Sequence, residues 1–198
     1  MGEAKIRLVY NYSLGPRERK AAYDAARSFA DFGVKYDFTD ANNLKALEQV
    51  KFGDKLGKVV SAKEALVESK DFTQTSLLGH IFAKKIFGIG VTQNPLWVPA
   101  GGELEYGVGV GIPGVGGVVS TYLFSRDELK GDLLDRAITA AVRVEIGHVF
   151  DATDHSVKVP CIMYSSKNFV EEVVKPGLDF CRDCHILISA GVAKAMQQ

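Results

Sequence analysis

Residues 144–148 read Val-Glu-Ile-Gly-His, and residues 161–184 read CIMYSSKNFVEEVVKPGLDFCRDC. All three cysteines of the chain, Cys161, Cys181 and Cys184, lie in the second stretch. His148, His155 and His185, three of its four histidines, fall within or close to the same region. Packing alone does not explain that concentration. Cys181-Arg182-Asp183-Cys184 brings two thiolates within tetrahedral reach across a tight turn. Taken by itself the pair fits a redox couple or two core residues equally well, although a thioredoxin-like motif belongs after a strand early in the fold. Cys161 adds a third sulfur, and His155 or His185 completes a set of three thiolates and one imidazole. The expected ligand is a structural zinc.

The rest of the composition is that of an ordinary globular protein. The chain has 198 residues, 46% hydrophobic and 24% charged, with 24 basic and 24 acidic side chains and zero formal net charge. That excludes disordered, collagen-like and membrane-spanning classes and predicts one domain over residues 1–198. Balanced charge, with no basic cluster denser than Arg17, Arg19 and Lys20, predicts no nucleic-acid partner. The opening MGEAKIRLVYNYS has no apolar run followed by a small-residue cleavage site, so the expected compartment is the cytoplasm. No helix face repeats as a coiled-coil seam, and a monomer is expected.

Strands alternate with helices along the chain. KIRLVY (5–10) reads as a strand, Pro16 opens a helix carrying Ala22, Ala25, Ala26, Phe29 and Phe32, Gly33 stops it, and VKYDF (34–38) is a second strand. Asp40 caps a further helix through Leu44 and Leu47, and residues 52–70 are peripheral. TQTSLLGHIFAKKIF (73–87) has an amphipathic helical pattern and IGVTQ (89–93) follows as a strand. The two prolines of PLWVPA (95–100) confine it to a sheet edge or a loop. VVSTYLF (118–124) is a strand, and a long helix from near Ser125 carries Leu133, Leu134, Ile138, Ala141, Val144, Glu145 and His148. The predicted class is α/β around a mixed, mostly parallel sheet.

Gly109-x-Gly111-x-x-Gly114 formally matches a dinucleotide fingerprint, but Pro113 interrupts it and a strand follows where a helix should. It reads as a flexible surface loop bordering a site. His80 stands alone and is expected to be structural. Val144-Glu145-Ile146-Gly147-His148 is close to His-Glu-x-x-His, in which two imidazoles one helical turn apart face one zinc and the glutamate activates a bound water. Glu145 and His148 are present; valine ligates nothing.

From Glu145 onward the chain resembles the archaemetzincins, zinc peptidases of the metzincin clan. Their pattern is His-Glu-x-x-His-x-x-Gly-x-x-His-Cys, four residues, Cys-x-Met, seventeen residues, Cys-x-x-Cys. Here Glu145, His148, Cys161 and Met163 are followed by seventeen residues to Cys181 and then Cys184. IGVTQNPLWVP, the YGVG stretch and GGVVSTYLF also resemble the family's segments before the active-site helix, so the likeness covers roughly residues 85 to 185. It implies a compact metzincin-like domain with an active-site helix, a zinc-bound C-terminal segment, a catalytic zinc on three ligands and a structural zinc on four cysteines. It also makes Met163 the floor of the catalytic metal, in the Met-turn, and a peptide the substrate or ligand.

Two departures follow. Val144 replaces the first zinc histidine, and one residue too many lies between His148 and His155. In one register His155 is the third catalytic ligand and Ser156 replaces the first structural cysteine. In the other, Asp151 takes the glycine position, Asp154 the third-ligand position, and His155 joins Cys161, Cys181 and Cys184. The second is preferred, because aspartate tolerates the left-handed backbone of a turn glycine and histidine exchanges for cysteine at zinc. Either way the catalytic site keeps at most two protein ligands, His148 with His155 or Asp154. The expected protein holds one structural zinc, binds catalytic zinc weakly or not at all, and is inactive or very weakly active on peptides. The alternative is an active peptidase with an atypical ligand set.

Overall fold

The computed structural model describes residues 3–10, 14–40, 60–61, 84–100 and 103–197. β1 (Glu3–Tyr10) leads through α1 (Pro16–Arg27) to β2 (Lys35–Asp40). Pro16 occupies the first helical turn, where its missing N–H costs nothing, and the Glu18 carboxylate accepts the Gly15 N–H at 2.7 Å. The helix tightens into a 3-10 turn over Ser28–Phe32 and stops at Gly33, whose φ of 77° is left-handed. β3 (Val60–Ser61), β4 (Lys84–Thr92), β5 (Leu96–Ala100), β6 (Glu103–Gly107), β7 (Gly109–Ile112) and β8 (Gly116–Ser120) follow. The chain ends in α2 (Tyr122–Arg126), α3 (Gly131–Val149), a π-helical turn at Val170–Val174 and α4 (Arg182–Gln197).

The main sheet has the order β2-β1-β4-β8-β7; the first four strands are parallel, and β7 closes one edge antiparallel to β8. Along β1, Ala4, Ile6, Leu8 and Tyr10 are buried, while Lys5 and Arg7 on the other face pair with Asp37. α1 contributes Ala21, Ala22, Ala25 and Ala26 to the core, small residues that let it lie close to α3. Phe29 joins the layers: its ring centroid lies 5.6 Å from Phe32, 6.3 Å from Phe150 and 5.7 Å from Phe180, and Phe150 meets Phe87 of β4 edge-on.

Four local expectations are corrected. Lys84–Phe87, expected to end a helix, belong to β4, a central strand between β1 and β8; residues 73–83 and His80 lie outside the described residues. The helix expected from Asp40 and most of residues 52–70 also lie outside them. PLWVPA is not an edge: β5 sits between β3 and β6 in a second, three-stranded sheet. Among the described residues β3 pairs with Leu96 and Trp97, and Pro99 stands opposite Leu104 of β6. Tyr122–Phe124, expected as strand, turn into α2 as soon as β8 ends at Ser120. Finally, the glycine-rich stretch is not a loop but β6, β7 and a tight β7–β8 turn.

Phe29→Ala should cost about 3–5 kcal/mol, as for other fully buried aromatics. A urea unfolding curve should show the midpoint falling with the slope unchanged.

Candidate metal centre

α3 positions the first group of residues. Val144 and His148 are one turn apart on the same face, and Glu145 faces β7. The helix ends in a Schellman turn: the Asp151 N–H donates to the His148 carbonyl at 3.1 Å and the Ala152 N–H to the Gly147 carbonyl at 3.0 Å. Asp151 holds the left-handed position with φ 67°, where glycine is usual, and its carboxylate meets Lys194 at 3.3 Å. The turn sends the Ala152 carbonyl back over the helix, where it accepts from His148 Nδ1 at 3.0 Å. A carbonyl and a carboxylate both only accept, so Nδ1 donates to Ala152, and the Nε2 contact with Asp154 is an ion pair when the imidazole carries both protons. Nε2 lies 3.4 Å from Asp154 Oδ1. Burial disfavours the charged imidazole, but the Asp154 contact outweighs it and raises the His148 pKa.

Glu145 is 6% exposed and fills the space above two glycines of β7. A Cβ at Gly109 would lie 2.5 Å from Glu145 Oε1, and one at Gly111 would lie 2.5 Å from the Glu145 carbonyl and 2.8 Å from His148 Cβ. This explains the Gly-x-Gly spacing. Alternate residues of a strand share a face, and here both must be bare for α3 to sit on it. No phosphate need be invoked. Oε2 makes no hydrogen bond, and burial, with a smaller contribution from Asp154 against the favourable His148, pushes the Glu145 carboxyl up to about 8. At neutral pH it is protonated. Met163, buried, packs beneath the same helix, its Sδ 3.1 Å from where a Cβ on Gly147 would lie.

The second group forms where the chain crosses itself. The His155 N–H donates to the Met163 carbonyl at 2.9 Å and the Ser165 N–H to the His155 carbonyl at 3.1 Å, pinning residue 155 against 163–165. The Ile162 N–H bonds the Asp179 carbonyl at 2.8 Å, and the Cys181 N–H meets Cys161 Sγ at 3.2 Å. Arg143 reaches over from α3, paired with Asp179 and 5.0 Å above the Phe180 ring. Cys184 is buried in the first turn of α4.

As a result His155 Nε2 lies 3.2 Å from Cys184 Sγ and 3.4 Å from Cys181 Sγ, and the Cys161 and Cys184 sulfurs are 3.7 Å apart. All four ligand atoms lie within 4.8 Å of one another. Zinc bonds of about 2.3 Å to sulfur and 2.0–2.1 Å to nitrogen predict tetrahedral edges of about 3.8 Å between sulfurs and 3.6 Å between nitrogen and sulfur. The cluster is close to those edges and has the donor chemistry zinc selects. Burial opposes ionisation of Cys181, but hydrogen bonds from the Cys184 amide, the other two thiols and His155 outweigh it and bring the thiol down to about 7. Burial and the neighbouring thiols push Cys184 up.

His155 thus lies among the cysteines, Asp151 is left-handed and Asp154 lies beside His148. His185 is not in the cluster; it stacks on Phe32 at 5.1 Å between centroids. Among the described residues no other group of three or more His, Cys, Asp or Glu side chains converges in this way. Glu145, His148 and Asp154 do not. Catalytic zinc usually has three protein ligands; with the Glu145 carboxyl turned onto Gly109 of β7, His148 and Asp154 are two donors and fall one short of that set. The glycine pair, the Ala152 carbonyl and Arg143 are contributions that sequence reasoning missed. Only the glycines left a signal, in their period-two spacing.

The burial of Glu145 has a measurable consequence. Its proton leaves near 4.5 in the unfolded chain and near 8 in the folded one. Between those values the unfolded state binds fewer protons, so stability falls as pH rises, by up to about 1.4 kcal/mol per unit. Glu145→Gln should flatten that slope, as read from urea unfolding at about pH 5 and about pH 8.

The sequence matches no protein-family model and no curated protein. Solved structures do resemble the fold. The crystal structure of archaemetzincin from Methanopyrus kandleri superposes with a TM-score of 0.68, covering 96% of each chain at 19% identity. That of archaemetzincin from Archaeoglobus fulgidus, complexed with malonate, gives 0.59 over 92% of this chain and 99% of the other at 14% identity. The chain therefore has the archaemetzincin fold, with a His155, Cys161, Cys181 and Cys184 cluster suited to zinc.

Proposed function

We propose that the chain is a degenerate archaemetzincin: one domain over residues 1–198, stabilised by a single zinc, whose peptidase centre no longer supports efficient hydrolysis. Val144 is the observation that carries this reading. It stands one turn before His148, where the likeness to archaemetzincins calls for an imidazole, and it is half-buried against the core. With His148 and Asp154 as the only donors, a zinc there would lack a third protein ligand. Losing even one outer-shell partner typically weakens a metal site about ten- to a hundred-fold. Glu145, protonated at neutral pH and sealed against β7, is not poised as a base.

His155, Cys161, Cys181 and Cys184 would hold the structural zinc. Bound there, it supplies no reaction step but cross-links the 155–163 segment to the start of α4. The proposed protein works as a cytoplasmic monomer that takes peptides as ligands rather than substrates, with no nucleic-acid or membrane partner. Among the described residues no helix is long and apolar enough to cross a membrane.

One observation favours a second reading, an active peptidase with an atypical ligand set. The 3.4 Å between His148 Nε2 and Asp154 Oδ1 equals the edge of a tetrahedron with bonds of about 2.1 Å.

Elemental analysis after dialysis against a mild chelator separates the two. One zinc per chain is expected, lost in Cys184→Ser and His155→Ala, with no chelator-sensitive hydrolysis of a peptide library. Two zincs with hydrolysis abolished by Glu145→Ala would establish the second reading, and no zinc at all would refute both.

A further inference from the structure

The residues left over from the peptidase motif make contacts of their own, and those contacts converge on His155. His148 is engaged at both nitrogens, Nδ1 by the Ala152 carbonyl and Nε2 by Asp154. Asp154 is bonded to His155, the imidazole member of the cysteine cluster. The Schellman turn fixes residues 151 and 152 to the end of α3, and the Met163 and Ser165 hydrogen bonds fix His155 on its far side. Between those two anchors, residues 153 and 154 are exposed, and the His148–Asp154 contact is the one side-chain tie among the described interactions that spans them. An imidazole ligand must present its nitrogen within a few tenths of an ångström, so whatever fixes the backbone on either side of it contributes to affinity.

We infer that His148 and Asp154 act as a positioning pair for the cysteine cluster: their contact clamps the 150–155 turn onto α3 and so presents His155 to zinc. This rests on the one-zinc reading above, and it assigns the remnant of one metal site a task at the other. Neither residue touches the zinc. Each acts through the backbone that carries His155.

Zinc affinity of the full chain, measured by competition with a chromophoric chelator, tests the inference together with thermal unfolding of the zinc-loaded protein. His148→Ala and Asp154→Ala should each weaken zinc about ten-fold, at the low end for removing an outer-shell partner. Each should also lower Tm by about 2–4 °C. The double variant should lose no more than the worse single one, because the two residues share one contact. Asp154→Asn keeps an acceptor oxygen and should retain most of the affinity. Asp183→Asn, which removes the same charge beside Cys184 without touching the turn, should leave affinity unchanged. Unchanged affinity in the single variants, additive losses, or an equal loss in Asp183→Asn would overturn the proposal. So would a wild type holding two zincs that falls to one in Asp154→Ala, since Asp154 would then be a ligand. Failure of the one-zinc reading itself shows separately, as a wild type that binds none.

Discussion

The end of α3 is the constraint on which the rest of the site depends. A nineteen-residue helix must stop within one turn of His148, reverse, and deliver His155 to a cluster that also draws on two other segments. Asp151 makes this possible by adopting a backbone conformation that costs an ordinary L-residue roughly 1–2 kcal/mol. The two hydrogen bonds of the Schellman turn and the Lys194 contact with its carboxylate offset that cost. Aspartate is among the few non-glycine residues that visit this region readily, because its short polar side chain bonds locally.

The helix is also held from its other face. Glu145 lies where β7 offers no side chains, and its burial without a partner for Oε2 is a cost the fold carries. A charged carboxylate there would be far more costly, so the group keeps its proton. Buried glutamate at this point is hard to account for by packing alone. An apolar residue of similar volume would fill the space over Gly109 and Gly111 with no desolvation penalty.

How far this was legible from the sequence differs from segment to segment, and the reasons are physical. The cysteine cluster could be read because zinc chemistry restricts both residue type and spacing. The Cys161, Met163, Cys181 and Cys184 intervals carried the resemblance in this chain, although its overall identity to the solved archaemetzincins is only 14–19%. Pro16 and Gly33 marked the limits of the first helical segment because each acts through its own backbone. β4 was misread at Lys84–Phe87 because a central parallel strand is buried on both faces. Its apolar run IFGIGV lacks the alternation that separates strand from helix. The glycines of β7 were visible but misassigned: what they make room for, the Glu145 side chain, comes from a helix far along the chain, and no local pattern states that meeting.

On the proposed reading the remnant of the peptidase motif and the cysteine cluster occupy one stretch of backbone but share no side chain, and this separates what can be lost from what must be kept. On the proposed reading Val144 stands where a donor would be, and it packs partly against the core, so the helix keeps its packing at that position. The cysteine cluster has no such freedom. Structural zinc in small peptides is worth roughly 10–16 kcal/mol, as much as the whole net stability of a typical domain at about 5–15 kcal/mol. Three thiols gathered around an imidazole without a cation would instead be a set of buried polar groups with incomplete partners. With zinc bound as proposed, stability alone favours Cys161, Cys181 and Cys184, and histidine serves at 155 because imidazole is itself a zinc ligand. It places no such demand on the first position of the peptidase motif, where this chain has a valine.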